Sequence, residues 1–229
     1  MTFRKFGPTR FIGHLDLART LERSLNRARI PMAYTQGFNR RPRMQVAAAL
    51  PLGFTSECEM ADIYLAEAME PEAARAQMMA RMAPGIEVVR VEEVPIQEPP
   101  LQTVTHEAVY RVTLLDRVET AVLQQRIDDL MAAETVVRER GHERKKKAYD
   151  LRPLILTLAI EQVGEDDTGT TLHMRLMLQH SRTGRPDEVL HELGLDPLAA
   201  RIHRTEIVLE DDRQPTTDDH RLSSVAQLD

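Results

Sequence analysis

Arginine returns at every fourth position near the start of the chain, at Arg19, Arg23 and Arg27. That spacing lines three guanidiniums along one face of a helix. A guanidinium donates paired hydrogen bonds to phosphate oxygens, so such a row can follow a nucleic-acid backbone. Arg10 and the run Arg40-Arg41-Pro42-Arg43 extend the cationic region, and up to Arg43 only Asp16 and Glu22 oppose ten basic residues. The plain alternative is a solvated helix face with local ion pairs. A second basic cluster begins with Arg138 and Arg140 on a strand-like stretch and continues with Arg144, Lys145, Lys146 and Lys147, which fall between two such stretches. It reads as a second phosphate contact or as a charged hairpin tip.

Other candidates are sparser. Gly13-His14-Leu15-Asp16 places an imidazole and a carboxylate in the first turn of a helix. His14 and Asp16 are therefore the candidate acid-base pair, against a reading in which Asp16 caps the helix and His14 makes a structural hydrogen bond. Gln36-Gly37-Phe38-Asn39 offers Phe38 either to a nucleobase or to the core beneath a turn. No Ser, His and Asp grouping marks a nucleophilic triad, no glycine-rich loop a nucleotide site, and no close His pair a metal site. Cys58 stands alone, so neither a disulfide framework nor a multi-cysteine cluster is expected. The expected cofactor and metal complement is none.

These side chains need elements to hold them. Leu17, Leu21, Leu25 and Ala28 form the apolar stripe of a helix from His14 to about Arg29, stopped by Pro31. Strands are expected before it, over Thr2–Ile12 with a break at Gly7-Pro8, and after it, over Met44–Leu50 and Glu59–Leu65. A helix over Glu70–Met82 and a strand over Ile86–Val94 complete the order β-α-β-β-α-β, which is ferredoxin-like. Pro95–Pro100 reads as a stiff linker. Beyond it, strands over Ala108–Leu114, Thr135–Arg140, Leu151–Gln162, Leu172–Gln179 and Ile202–Glu210, with helices over Val118–Ala133 and Pro186–Leu193, repeat that order with an extra strand. The expected class is α+β: two tandem ferredoxin-like domains at 1–95 and 101–210, then a disordered acidic tail at 211–229.

At 229 residues two compact units are the natural division. The longest apolar runs, Val46–Leu50 and Leu154–Ile160, are far short of the roughly 20 residues a membrane helix needs. With the single cysteine, this points to a cytoplasmic protein. The net charge of −6 averages segments of opposite sign, and its distribution suggests one face for an anion. Whether that face is composite depends on one strand. If it runs from Met32 to Thr35, the Gln36–Arg43 loop emerges beside His14, which is the expected arrangement; if it begins at Met44, the loop lies at the opposite end.

Several stretches resemble a bacterial family of unknown function, the radical-SAM-linked proteins, whose members occur fused to or encoded beside a radical SAM enzyme. They are Lys5-Phe6-Gly7 through Arg10-Phe11-Ile12-Gly13-His14-Leu15-Asp16-Leu17, Tyr34 to Asn39, Leu50-Pro51-Leu52-Gly53, and Lys145 to Ile155. The family usually has Ser at Gly13, and Pro then His at Arg40 and Arg41, so this chain lacks a loop histidine that relatives carry. The resemblance implies a radical SAM enzyme as partner. One cysteine cannot supply that enzyme's cluster.

Three functions follow as expectations. The first is a non-catalytic accessory protein that binds RNA, such as transfer or ribosomal RNA, and presents it to a separate radical SAM enzyme for modification. Its binding residues would be Arg10, Arg19, Arg23, Arg27, Phe38, Arg40, Arg41, Arg43, Arg144, Lys145, Lys146 and Lys147. The second is a metal-independent RNA-processing enzyme using His14 and Asp16, by analogy of fold with CRISPR repeat-processing endonucleases. The third is a protein-docking module that touches no RNA.

Overall fold

The computed structural model describes residues 1–141, 147–162 and 169–210. It shows a mixed α/β chain with a mostly antiparallel sheet and few helices. Its strands are β1 (Thr2–Lys5), β2 (Met44–Val46), β3 (Thr55–Ile63), β4 (Ile86–Arg90), β5 (Thr105–Leu114), β6 (Val137–Arg140), β7 (Lys147–Asp150), β8 (Ile155–Gln162), β9 (Thr171–Met177) and β10 (Ala200–Leu209). The helices are α1 (His14–Arg27), α2 (Pro71–Met79), α3 (Leu101–Val104), α4 (Thr120–Ala132) and α5 (Pro186–Glu192). The acidic tail expected at 211–229 lies outside the described residues, as do Arg144, Lys145 and Lys146.

Eight strands form one sheet in the order β4-β1-β3-β10-β5-β9-β8, with β2 on β3. β3 serves three neighbours. One edge pairs antiparallel with β1; the other pairs with β2 near Ala61–Ile63 and, through Thr55 and Ser56, parallel with His203 and Arg204 of β10. This is how strands from both ends of the chain enter one sheet. β9 follows the alternation of its sequence, with Leu172, Met174 and Leu176 buried and His173, Arg175 and Met177 half-exposed.

α1 is helical for the reason its spacing gives: Leu17, Leu21 and Leu25 are buried on one side. It stops two residues before the expected Arg29, because Arg29 turns into the left-handed region at φ 56° and lets the Ile30 amide donate to the Leu25 carbonyl. Asp16 does not cap the helix; Gly13 holds that position without a side-chain bond. The break expected at Gly7-Pro8 is a 3-10 turn over Gly7–Phe11, ending the first strand at Lys5. Gly85, at φ 86°, admits this turn, since a β-carbon there would lie 2.5 Å from the Phe6 carbonyl oxygen.

Other differences are local. The extra strand of the second half is a pair, β6 with β7, forming its own two-stranded sheet. The proline-rich stretch leads into the unexpected α3, whose Leu101 amide donates to Asp62 at 2.8 Å and whose Gln102 side chain donates to the Val46 carbonyl at 3.1 Å. Ala47, Leu50 and Phe54, from between β2 and β3, pack into the large apolar cluster of the later strands and helices. Smaller clusters around Phe3 and Leu21, and around Leu25 and Met78, hold α1 and α2 on the first strands.

A charged group sits inside this packing. Arg204 on β10 is 1% exposed and donates to Glu59 of β3 at 2.9 Å, to the Tyr110 hydroxyl of β5 at 3.0 and 3.2 Å, and to the Ala49 carbonyl at 2.9 Å. Lys5, fully buried, reaches the Phe54 carbonyl at 3.5 Å. Removing one partner of such a pair strands the other charge without water. Arg204→Met is therefore expected to cost about 3–5 kcal/mol in urea unfolding, with much of the loss recovered when Glu59→Leu is added. A loss under about 1 kcal/mol for Arg204→Met would show that the pair does not hold the strands together.

Candidate nucleic-acid interface

The Gln36–Arg43 segment is the tip of an arm. Its two sides are joined where the Arg43 amide donates to Ala33 at 2.8 Å and the Thr35 amide donates to Arg41 at 2.9 Å, and the Arg41 amide donates to the Thr35 hydroxyl at 3.0 Å. The base is sewn to the end of β3 by Ala33 N–H to Tyr64 at 2.7 Å and Tyr64 N–H to Arg43 at 2.9 Å. The Tyr34 hydroxyl donates to Asn26 at 3.1 Å, fixing the arm to the C-terminal end of α1.

This geometry corrects the composite site. Regular pairing begins at Met44, and Met32 and Tyr34 make only single bridges. The arm therefore stands at the opposite end of α1 from His14, about 20 Å away for 14 residues at 1.5 Å each. His14 and Asp16 do not form a pair either. Positions two apart do not face each other on a helix, and Asp16 pairs instead with Arg19 at 3.4 Å. The His14 Nδ1 is buried with no hydrogen-bond partner among the described residues.

The basic residues fall into distinct settings. Arg40, Arg41 and Arg23 are exposed and make no ion pair among the described residues. Arg43 lies over the Tyr64 ring at 4.2 Å, and Arg10, at the far end of α1, over Phe11 at 4.6 Å. Arg27 is tied to the fold, donating to Ser24 at 3.1 Å and to the Arg81 carbonyl at 3.2 Å. Phe38 is fully exposed at the arm's tip, so it does not plug the core. The arm tip and the C-terminal half of α1 thus gather Arg23, Arg27, Arg40, Arg41 and Arg43 toward one end, with Arg19 further along the helix.

The second basic cluster behaves differently. Lys147 is exposed at the start of β7. Arg138 pairs with Glu192 at 2.5 Å, a hydrogen bond that raises its pKa, and Arg140 pairs with Glu188 at 2.5 Å. Both arginines hold the β6–β7 hairpin to α5 rather than offering themselves to a ligand.

Sequence reasoning missed the buried group around Arg204. Burial lowers the Lys5 pKa, opposed by the neighbouring Glu59 carboxylate; one oxygen of that carboxylate, Oε2, has no hydrogen-bond partner among the described residues. Burial also pushes the Cys58 thiol up to about 12. The signal available in sequence was a charge at an inward register of a strand, Arg204 two residues after Ile202.

The family model described as an uncharacterized protein conserved in bacteria (DUF2344) matches residues 1–186, and the chain belongs to that family. Comparison with the curated proteins finds no match. Among solved structures, a chain of a Cbf5-Nop10-Gar1 complex is similar over 90% of this chain, at 8% identity and a TM-score of 0.48. One of the archaeal box H/ACA sRNP Nop10-Cbf5 complex also aligns over 90%, at 9% identity and a TM-score of 0.43. This chain spans about half of each, 48% and 47% of their lengths. A likeness of this size decides neither fold nor ligand. No helix among the described residues is long and apolar enough to cross a membrane.

Two proton equilibria follow from the buried group. Because the folded Lys5 pKa lies below 10.5, the unfolded chain binds the extra proton, and stability from this residue rises as pH approaches 10.5. Cys58 runs the other way: raised from 9.0 to about 12, it makes stability fall as pH climbs between those values. At pH near 8 native Cys58 is expected to alkylate with iodoacetamide about two to three orders of magnitude more slowly than in urea. Equal rates would mean that the thiol is not shielded by the fold.

Proposed function

We propose that the protein is a non-catalytic RNA-binding protein that presents RNA to a separate modifying enzyme. The observation that carries this reading is the arm: a fully exposed Phe38 followed by exposed Arg40 and Arg41, held beside the basic end of α1. An aromatic ring in water stacks on any base, and neighbouring guanidiniums meet the phosphates. The partner implied by the resemblance is a radical SAM enzyme. One cysteine leaves cluster chemistry to that partner. Arg144, Lys145, Lys146 and Lys147 are kept as a second set of candidate phosphate contacts.

Two tandem ferredoxin-like units at 1–95 and 101–210 belong to the same proposal. The connection β1-α1-β2-β3-α2-β4 with neighbours β4-β1-β3-β2, and the equivalent order β10-β5-β9-β8 around α4 and α5, support them.

A protein-docking role without RNA is the second reading. Phe6, Phe11, Leu15 and Leu52 are exposed at the His14 end of α1, where the Gly53 amide donates to the Arg10 carbonyl at 2.7 Å. The enzyme reading has less support, since His14 and Asp16, two positions apart on α1, do not face each other.

Anisotropy titrations of small bacterial RNA over a salt series separate the readings. Arg23→Glu with Arg40→Glu and Arg41→Glu is expected to abolish tight binding and reduce the salt slope by about 3, one for each phosphate no longer neutralised. Phe38→Ala is expected to cost about 1–3 kcal/mol with the slope unchanged. Absence of wild-type binding even at low salt would overturn the RNA reading in favour of protein docking.

A further inference from the structure

Across Tyr64 from the basic arm lies a pocket of opposite character. It occupies about 310 Å³ between the end of β3, α2 and the segment that follows β4. Its floor is apolar, built from Ile63, Leu65, Met69 and Met78, and its rim carries Glu67, Glu93 and Glu98. None of these three glutamates makes an ion pair among the described residues. Asp62 and Glu92 also line the pocket, but Asp62 accepts the Leu101 amide and Glu92 is held by Arg90. No Lys, Arg or His side chain lines it; Met1 is also a lining residue, and its amino group donates to the Ala61 carbonyl at 3.0 Å.

Two independent properties restrict the occupant. The carboxylates disfavour phosphate and other anions, which sets this pocket apart from the proposed RNA surface. The methionine-lined floor rewards apolar contact and adapts to flexible chains, because methionine has several rotatable bonds and a polarizable sulfur. A volume of this size also lies at the small end of ligand pockets. An alkyl chain ending in a cationic head satisfies both conditions, its stem on the floor and its head among the glutamates.

We infer that this pocket binds an alkyl-ammonium or alkyl-guanidinium group, the chemistry shared by a free polyamine and by a Lys or Arg side chain of a partner polypeptide. The inference does not rest on RNA binding, and either can fail alone. Val94 and Ile96, exposed beside the pocket, lengthen the apolar track available to the stem.

The test titrates the full chain, labelled at its methionine methyls, with spermidine and separately with a blocked arginine-containing peptide. Saturable movement of the Met69 and Met78 signals is expected with at least one probe. Combined Glu67→Gln, Glu93→Gln and Glu98→Gln should weaken that probe about tenfold or more. Response to spermidine alone assigns a free polyamine; response to the peptide assigns a partner side chain. If the triple variant does not fold, the wild-type methyl map decides. Silence of both methionine signals with both probes up to about 10 mM, or an unchanged affinity in a folded triple variant, overturns the inference.

Discussion

A guanidinium withdrawn from water has to be met by acceptors on all sides, and Arg204 finds them on three separate stretches of the chain. Glu59 comes from β3, Tyr110 from β5, and the Ala49 carbonyl from the covering segment between β2 and β3. The strand pairing that this group reinforces is short, a parallel register of Thr55 with His203 and Ser56 with Arg204. So narrow a backbone seam gains its specificity from the side chains above it. With Lys5 beneath Phe54, the same group draws Ala47–Phe54 across the seam and seats Leu50 and Phe54 among the later strands. A buried pair of this kind need add no net stability over well-packed apolar residues, but losing one partner leaves the other charge stranded.

Once β3 is fixed at Ser56, its far end is fixed too. That end runs on through Ile63 to Tyr64 and Leu65, which hold the arm on one side and line the acidic pocket on the other. Arg43 lies over the Tyr64 ring, so one aromatic residue separates a cation-rich surface from an anion-rich one. The separation matters physically. Exposed charges of opposite sign closer than the Debye length of about 8 Å attract each other with little screening by salt.

Much of the scaffold was legible in the residues. The Leu17, Leu21 and Leu25 stripe of α1 and the alternation of β9 are periodic signals that water and packing enforce directly. The arm was not legible, because Met32–Thr35 and Met44–Leu50 both suit a strand; the choice falls to Tyr64, whose backbone takes Ala33 and Arg43 as partners. Exposure of Phe38 was equally hidden, since a lone aromatic in a turn suits core and surface alike. The Arg204 group was missed for a further reason: charged residues read as surface by default, so a charge at the inward register after Ile202 was passed over. Arg138 and Arg140 looked available for the same reason, until α5 supplied Glu192 and Glu188.

If RNA meets this protein at the arm and the adjoining end of α1, the bases must lie against Phe38. Ultraviolet cross-linking of the protein to RNA in bacterial cells, followed by mass spectrometry of the cross-linked peptides, tests that placement most directly. Nucleotide adducts are expected on the peptide carrying Phe38, with none at the Phe6 and Phe11 end of α1. Adducts confined to that opposite end, or none anywhere on the protein, would contradict it.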